Sequence, residues 1–307
     1  MIPICLVTGF LGSGKTTFLK QVVARNRERK LVYLVNELSP LDVDGALLRE
    51  AEDDVLTIPG GSIFCRCLVT EFIGHLEAIP ERFNTPEAPV EGVVIEASGI
   101  ANPKVTEQLL AETGLDATYD LASIVSIVDP GSFGKLVHTL PNIQAQVEAA
   151  DTVLINKADL FAGAVLDVTE NLVRQMNPRA SVVRTVQCEA DVPLFDQAPA
   201  REIEGDYAPC LDPNYDKLAV EVPGPVDLAR LIAALRSAGE EIYRAKGFVP
   251  TLEGMYYLDM SATGISADPT DRTGATAGLA IVTRGEDNET ARDLAARIEA
   301  GEFSASP

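Results

Sequence analysis

The segment Gly9-Phe10-Leu11-Gly12-Ser13-Gly14-Lys15-Thr16, directly after the apolar run 2–8, constrains this chain more than any other feature. Glycines at 9, 12 and 14 let a backbone bend with its N–H groups turned inward around an anion. Lys15 can then reach the β- and γ-phosphates of a nucleotide, and the Thr16 hydroxyl can ligate magnesium. A helix beginning at residue 15 would set its positive N-terminal end beneath the phosphates. An apolar strand before and a helix after separate a phosphate loop from a chance glycine-rich turn. Gly12, Ser13, Gly14, Lys15, Thr16 and Thr17 are therefore the candidate nucleotide-binding residues of this loop.

Further apolar runs follow at 31–36, 92–96, 121–128, 152–156 and 180–186, with a short one at 55–58. They are continuous and not alternating, which suits parallel strands covered on both faces. Helical stretches such as 15–27, 104–113 and 164–176 separate them, so the expected fold is α/β, a P-loop NTPase domain with a mainly parallel sheet. From about 189 to 216 the character changes: four prolines, with eight acidic residues against one basic, interrupt all periodicity. Beyond it, a strand at 218–222, a helix opened by Pro225, strands near 241–249, 253–260 and 276–283 and a helix at 289–300 read as a smaller α+β domain. The expected division is 1–190, a linker at 191–215, and 216–307.

Three further sites carry chemistry. Asn156-Lys157-Ala158-Asp159 follows a strand, and a carboxylate at Asp159 can accept both N–H donors of guanine, a pattern adenine does not offer. Asn156 and Lys157 would buttress the base and the glycine loop. Glu96 ends the run Val93-Val94-Ile95, where an acid orients magnesium and its waters. Gly99, three residues on, leaves a backbone N–H for the γ-phosphate. The bland alternative makes Glu96 a cap for the helix near Asn102-Pro103. Asn36-Glu37, followed by an acidic, proline-containing loop, is a candidate switch segment with Glu37 as its catalytic residue; the alternative is a helix start capped by Asp42 or Asp44.

Composition narrows the partners. The net charge is −21, from 46 acidic and 25 basic residues. That field repels phosphate backbones and anionic lipid, so no nucleic-acid or membrane-surface role is expected. No apolar run spans a bilayer, and the apolar start lacks a basic flank, so a cytoplasmic location is expected. Five cysteines, an odd and irregular set, fit a reducing compartment. Cys65 and Cys67 are two apart and could supply half of a tetrahedral soft-metal site, with Arg66 favouring thiolate. They read equally well as incidental or buried thiols. With only His75 and His138 in the chain, a histidine-rich cluster is excluded.

Taken in order, the glycine loop, Asn36-Glu37 with Asp44-Gly45, Ile95-Glu96-Ala97-Ser98-Gly99 through Pro103, and Asn156-Lys157-Ala158-Asp159 resemble CobW-type GTPases. Arg244-Ala245-Lys246-Gly247 resembles a motif of that family's C-terminal domain, and the likeness covers nearly the whole chain. It implies GTP and GDP as ligands with magnesium, and a nucleotide cycle coupled to delivering a metal or metallocofactor, zinc or cobalt in a corrinoid, to a client metalloprotein. By that resemblance Lys15, Glu37 and Glu96 serve catalysis, Thr16 and Glu96 magnesium, Gly99 the γ-phosphate, and Asn156, Lys157 and Asp159 the base. The family's Cys-x-Cys-Cys motif, aligned on Gly61, retains only Cys65, and the switch lacks the usual glycines. A scaffold or activator of a corrinoid enzyme that carries no metal is therefore an alternative, and an ATP-dependent kinase or ligase is another. With no arginine finger and no switch glutamine, intrinsic hydrolysis is expected to be slow, below about 1 per minute, until metal, partner or homodimer formation accelerates it.

Overall fold

The continuous apolar runs become strands buried on both faces. In a computed structural model, residues 1–36, 55–58, 62–64, 68–196, 214–271 and 276–305 are described. They fall into two units, 1–196 and 214–305. In the first, β1 (Ile2–Thr8), β2 (Leu31–Asn36), β3 (Val55–Ile58), β4 (Gly92–Glu96), β5 (Tyr119–Val128), β6 (Thr152–Ile155) and β7 (Ser181–Arg184) form one sheet. Its order is β3-β2-β4-β1-β5-β6-β7, and every pair is parallel. The helices of this unit are α1 (Lys15–Arg25), α2 (Val69–Phe83), α3 (Thr106–Thr113), α4 (Pro130–Leu136), α5 (Pro141–Glu148) and α6 (Gly163–Met176).

Side chains alternate across each strand, so one set meets α1 and the other the opposite layer. Phe18, Leu19, Val22 and Val23 of α1 share a core with Cys5, Val7, Val94, Val125, Ile127 and Leu154. Each large apolar group buried there contributes roughly 1.5–3 kcal/mol relative to exposure. Helices α4 and α5 both begin at prolines, whose missing N–H is no loss in a first turn. The sequence reading assigned neither of these short helices, nor α2, although Phe72, Leu76 and Ile79 bury one α2 face at helical spacing. Residues 190–196 lie across this unit: Ser123 donates to the Leu194 carbonyl, and Phe195 sits so close over Gly92 that a Cβ there would be 2.4 Å from its ring.

The second unit is an antiparallel sheet with its helices packed into one core. Strands β8 (Tyr215–Glu221), β9 (Ile242–Thr251), β10 (Gly254–Ser261), β11 (Gly264–Thr270) and β12 (Gly278–Arg284) run in the order β11-β10-β9-β12-β8. Leu231 and Leu235 of α7 (Leu228–Ala238) join Leu294 and Ile298 of α8 (Glu289–Glu299) against Val220, Ala245, Val249, Leu258, Leu279 and Ile281. The arrangement is the one expected: a mainly parallel P-loop domain followed by a smaller α+β unit. The sequence reading had no β11. That strand is an edge, mostly exposed, and carries Pro269, all of which blur a strand signal. Pro225 lies before the helix it was expected to open, since Asp227 caps α7 through the Arg230 N–H at 3.1 Å.

Candidate nucleotide site

The glycine loop joins β1 to α1 with positive φ at Gly9, Gly12 and Gly14, of 138°, 77° and 117°. Gly14 is constrained twice. A side chain would be strained at its φ, and a Cβ would stand 2.4 Å from Asn156 Nδ2. Lys15 opens α1 and is almost fully buried, and its Nζ donates to the Gly9 carbonyl at 2.9 Å and the Phe10 carbonyl at 3.3 Å. Its ammonium is thus held over the loop it would serve. Thr16 and Thr17 follow on the first turn, partly accessible.

The base-side motif is tied to this loop by a single amide. Asn156 Nδ2 donates to the Ser13 carbonyl at 2.9 Å, while its Oδ1 accepts from the Cys188 N–H at 2.9 Å and the Thr185 hydroxyl at 3.2 Å. Lys157 takes a left-handed conformation, φ 60°, and its Nζ pairs with Asp129 Oδ2 at 2.8 Å. Asp129 in turn caps α4 by accepting from the Gly131 N–H at 2.8 Å. These bonds leave Asp159 exposed on a short 3-10 turn, Ala158–Leu160.

Residues 185–189 close the same side; the apolar run read as a strand over 180–186 ends as β7 at Arg184. Cys188 Sγ donates to the Gly14 carbonyl at 3.4 Å, and Gln187 and Cys188 have φ of 52° and 57°. Burial, opposed by the nearby Lys157 charge, pushes the Cys188 thiol up to about 12. Two non-glycine residues in the left-handed region have no sequence signature. Asp129 was more legible, because Asp-Pro at a strand end is a helix-start signal.

Glu96 ends β4, is 2% exposed, and stands in register with Val7 of β1, beside the loop. The helical turn after it is capped by Asn102, whose Oδ1 accepts from the Lys104 N–H at 3.1 Å, so capping does not need Glu96. Gly99 packs on the glycine loop: a Cβ would lie 2.7 Å from the Leu11 nitrogen. From α5, Gln146 Nε2 donates to the Gly99 and Ala101 carbonyls, both at 3.1 Å, and Asn142 Nδ2 to the Ile100 carbonyl at 2.8 Å. The hydroxyls of Thr8, Ser13, Ser98 and Ser126 are buried and have no hydrogen-bond partner among the described residues. Thr8 and Ser126 are register neighbours across β1 and β5.

Glu37, Asp42, Asp44, Cys65 and Cys67 lie outside the described residues. Among the described residues, no group of three or more His, Cys, Asp or Glu side chains is placed to hold a metal ion. None of their helices is long and apolar enough to cross a membrane.

Residues 3–184 match the family described as CobW/HypB/UreG, nucleotide-binding domain. The chain belongs to that family. It is 25% identical over 263 residues to the zinc chaperone YjiA of Escherichia coli strain K12, covering 81% of each chain. It is 25% identical over 311 residues to the zinc chaperone CobW of a Sinorhizobium species, covering 87% of this chain and 86% of that one. The crystal structure of Zn(II)-bound YjiA GTPase from E. coli superposes over 99% of both chains at 19% identity, with a TM-score of 0.46.

Proposed function

We propose that this protein binds and hydrolyses GTP, and that the nucleotide cycle gates the handling of a metal ion for a client protein. The observation that carries the nucleotide half is the Asn156 amide, which joins the base-side motif to the Ser13 carbonyl at 2.9 Å. One side chain thereby sets the distance between the phosphate end and the base end of a ligand. Asp159 is free to face solvent beside it, and its carboxylate matches the paired N–H donors of guanine.

Hydrolysis proceeds by in-line attack of water on the γ-phosphate, and catalysis is a matter of position and charge. N–H groups of the glycine loop and of the first turn of α1, with the Lys15 ammonium, would bear the phosphate charge. The Gly99 N–H, next to Leu11, is the donor that senses the γ-phosphate. The Thr16 hydroxyl and the Glu96 carboxylate are an oxygen donor set of the kind magnesium prefers, and the ion would neutralise charge between the phosphates. Glu37 remains the candidate for orienting water.

Replacing Asp159 with Asn turns one acceptor into a donor. Affinity for GDP should fall by roughly two orders of magnitude, since hydrogen bonds to a charged group contribute about 1.5–3 kcal/mol each, while xanthosine diphosphate should gain. Titration with both nucleotides reads this out, and undiminished GDP binding would remove Asp159 from the site.

The metal half takes its support from the relatives named zinc chaperones and from a zinc-regulated GTPase metalloprotein activator of Schizosaccharomyces pombe. Zinc is accordingly the first cargo to test, with Cys65 and Cys67 as thiolate donors. Reduced protein should bind zinc with an affinity that differs between the GDP and GTP states, and Cys65→Ala with Cys67→Ala should abolish it. Metal binding indifferent to both thiols would overturn that assignment.

A further inference from the structure

Strands β3, β2 and β4 end side by side, and one side chain spans the segments that leave them. Asn36, the last residue of β2, is 2% exposed. Its Nδ2 donates to the Ile58 carbonyl at the end of β3, at 3.3 Å. Its Oδ1 accepts from the Ile63 N–H at 3.0 Å and from the Ser98 N–H at 3.1 Å. Asn36 is in register with Ile58, and Val35 with Glu96, so the backbone ladder stops at this level and the side-chain amide continues it. Buried backbone donors must find partners. Here two of them, 35 positions apart in the chain by the numbers 63 and 98, share one oxygen atom.

The segments joined in this way carry different things. Ser98 precedes Gly99, which lies against the glycine loop, and the carbonyls of 99–101 are held from α5. Ile63 and Phe64 are fully buried, with Phe64 edge-on to Phe72 of α2 at 5.9 Å between ring centroids. The next residue in the sequence is Cys65. A shift of Ser98 pulls on the Asn36 oxygen, and that oxygen cannot move without disturbing Ile63.

We propose that Asn36 is the positioning residue that makes residues 62–64 follow residues 98–101 when the bound nucleotide changes. The inference rests on the nucleotide reading above and adds the route by which a γ-phosphate signal reaches the cysteine-bearing segment. The link itself needs the acceptor, one oxygen taking both the Ile63 and the Ser98 N–H bonds, while the amide N–H ties the group to Ile58. Asp at this position keeps the acceptor and loses the donor, whereas Ala loses both.

The test is hydrogen exchange on the full chain, with magnesium and either GDP or a non-hydrolysable GTP analogue. In the natural sequence the amides of 62–64 and 98–101 should both change protection between the two nucleotides. In Asn36→Ala the change at 99–101, whose carbonyls are held from α5, should stay within about twofold, while that at 62–64 should fall at least about fivefold; Asn36→Asp, which keeps the shared acceptor, should recover most of it. A nucleotide-dependent change at 62–64 that survives in Asn36→Ala would overturn the proposal, as would a natural-sequence response confined to 98–101. A second measurement needs no variant and holds if Asn36→Ala fails to fold. Relaxation dispersion should give the Ile63 and Ser98 amides one shared exchange rate, and separate rates would overturn the link. Failure to bind GDP or GTP at all, read by direct titration, would sink the nucleotide reading and this inference with it. Binding with residues 62–64 silent sinks this inference alone.

Discussion

Asn156 and Cys188 show how much of this site depends on single side chains reaching far along the chain. The Asn156 side chain makes three bonds to two segments, the glycine loop and residues 185–189, so Asn156→Ala leaves the Cys188 N–H without its buried acceptor. A loss of about 1–3 kcal/mol in stability is expected for that orphaned donor. Nucleotide affinity should drop at least about tenfold with it, since 1.4 kcal/mol is a factor of ten; calorimetric unfolding and GDP titration measure the two effects. The Cys188 thiol makes a pH prediction. Its native value is raised from 9.0 to about 12, so the folded protein keeps a proton that the unfolded chain gives up first. The stability tied to that proton is complete below pH 9 and is lost as pH rises from about 9 towards 12. Between pH 8 and pH 10 the natural sequence should lose about 1 kcal/mol more than Cys188→Ala does, measured by urea unfolding at each pH. Equal losses would show that the thiol ionises as freely in the fold as outside it.

At the scale of elements, α5 is a grip on the segment after β4 as well as a connector. Gln146, 1% exposed, holds two carbonyls on either side of Ile100, and Asn142 holds the one between. Gln146→Ala should loosen residues 99–101 and slow GTP hydrolysis by about tenfold, with GDP affinity changed less than about twofold. Equal effects on hydrolysis and GDP binding would make Gln146 a general support only. This layer of the molecule was the least legible in the sequence. The placement of Lys15 and Thr16 at a helix start and of Glu96 at a strand end was readable, because local spacing defines those positions. Asn142 and Gln146 were not, and Asn36 was read only as the start of a switch segment, because each grips backbone 42 to 62 residues away, at Ile100, Gly99 and Ser98, and no local pattern records such a bond. The parallel strands were readable for the opposite reason, since burial on both faces leaves an unbroken apolar run. Helices α4 and α5 are only 7 and 8 residues long and give periodicity too few turns to register.

For the whole molecule, each unit has a core of its own. Leu279 belongs to the second core and is fully buried, in register with Val220 of β8 and Gly247 of β9. Leu279→Ala should cost that unit about 2–5 kcal/mol by the cavity it leaves. Hydrogen exchange should show the loss in 214–305, and GDP affinity in the first unit should stay within about twofold. A matching loss of nucleotide binding would mean that the units are not independent in stability.

The bonds that close the nucleotide site also set when it can exist. Ser13 meets Asn156 across 143 residues, and Gly14 meets Cys188 across 174. Contacts of such separation form late, because the loop they close must first be gathered. During synthesis the glycine loop emerges before residues 156 and 188, so the contacts that hold it to them are unmade until both have followed. A truncated or stalled chain would therefore carry the most recognisable motif of the family without capturing GTP. Occupancy of the site is in this way a certificate that the first unit has been completed.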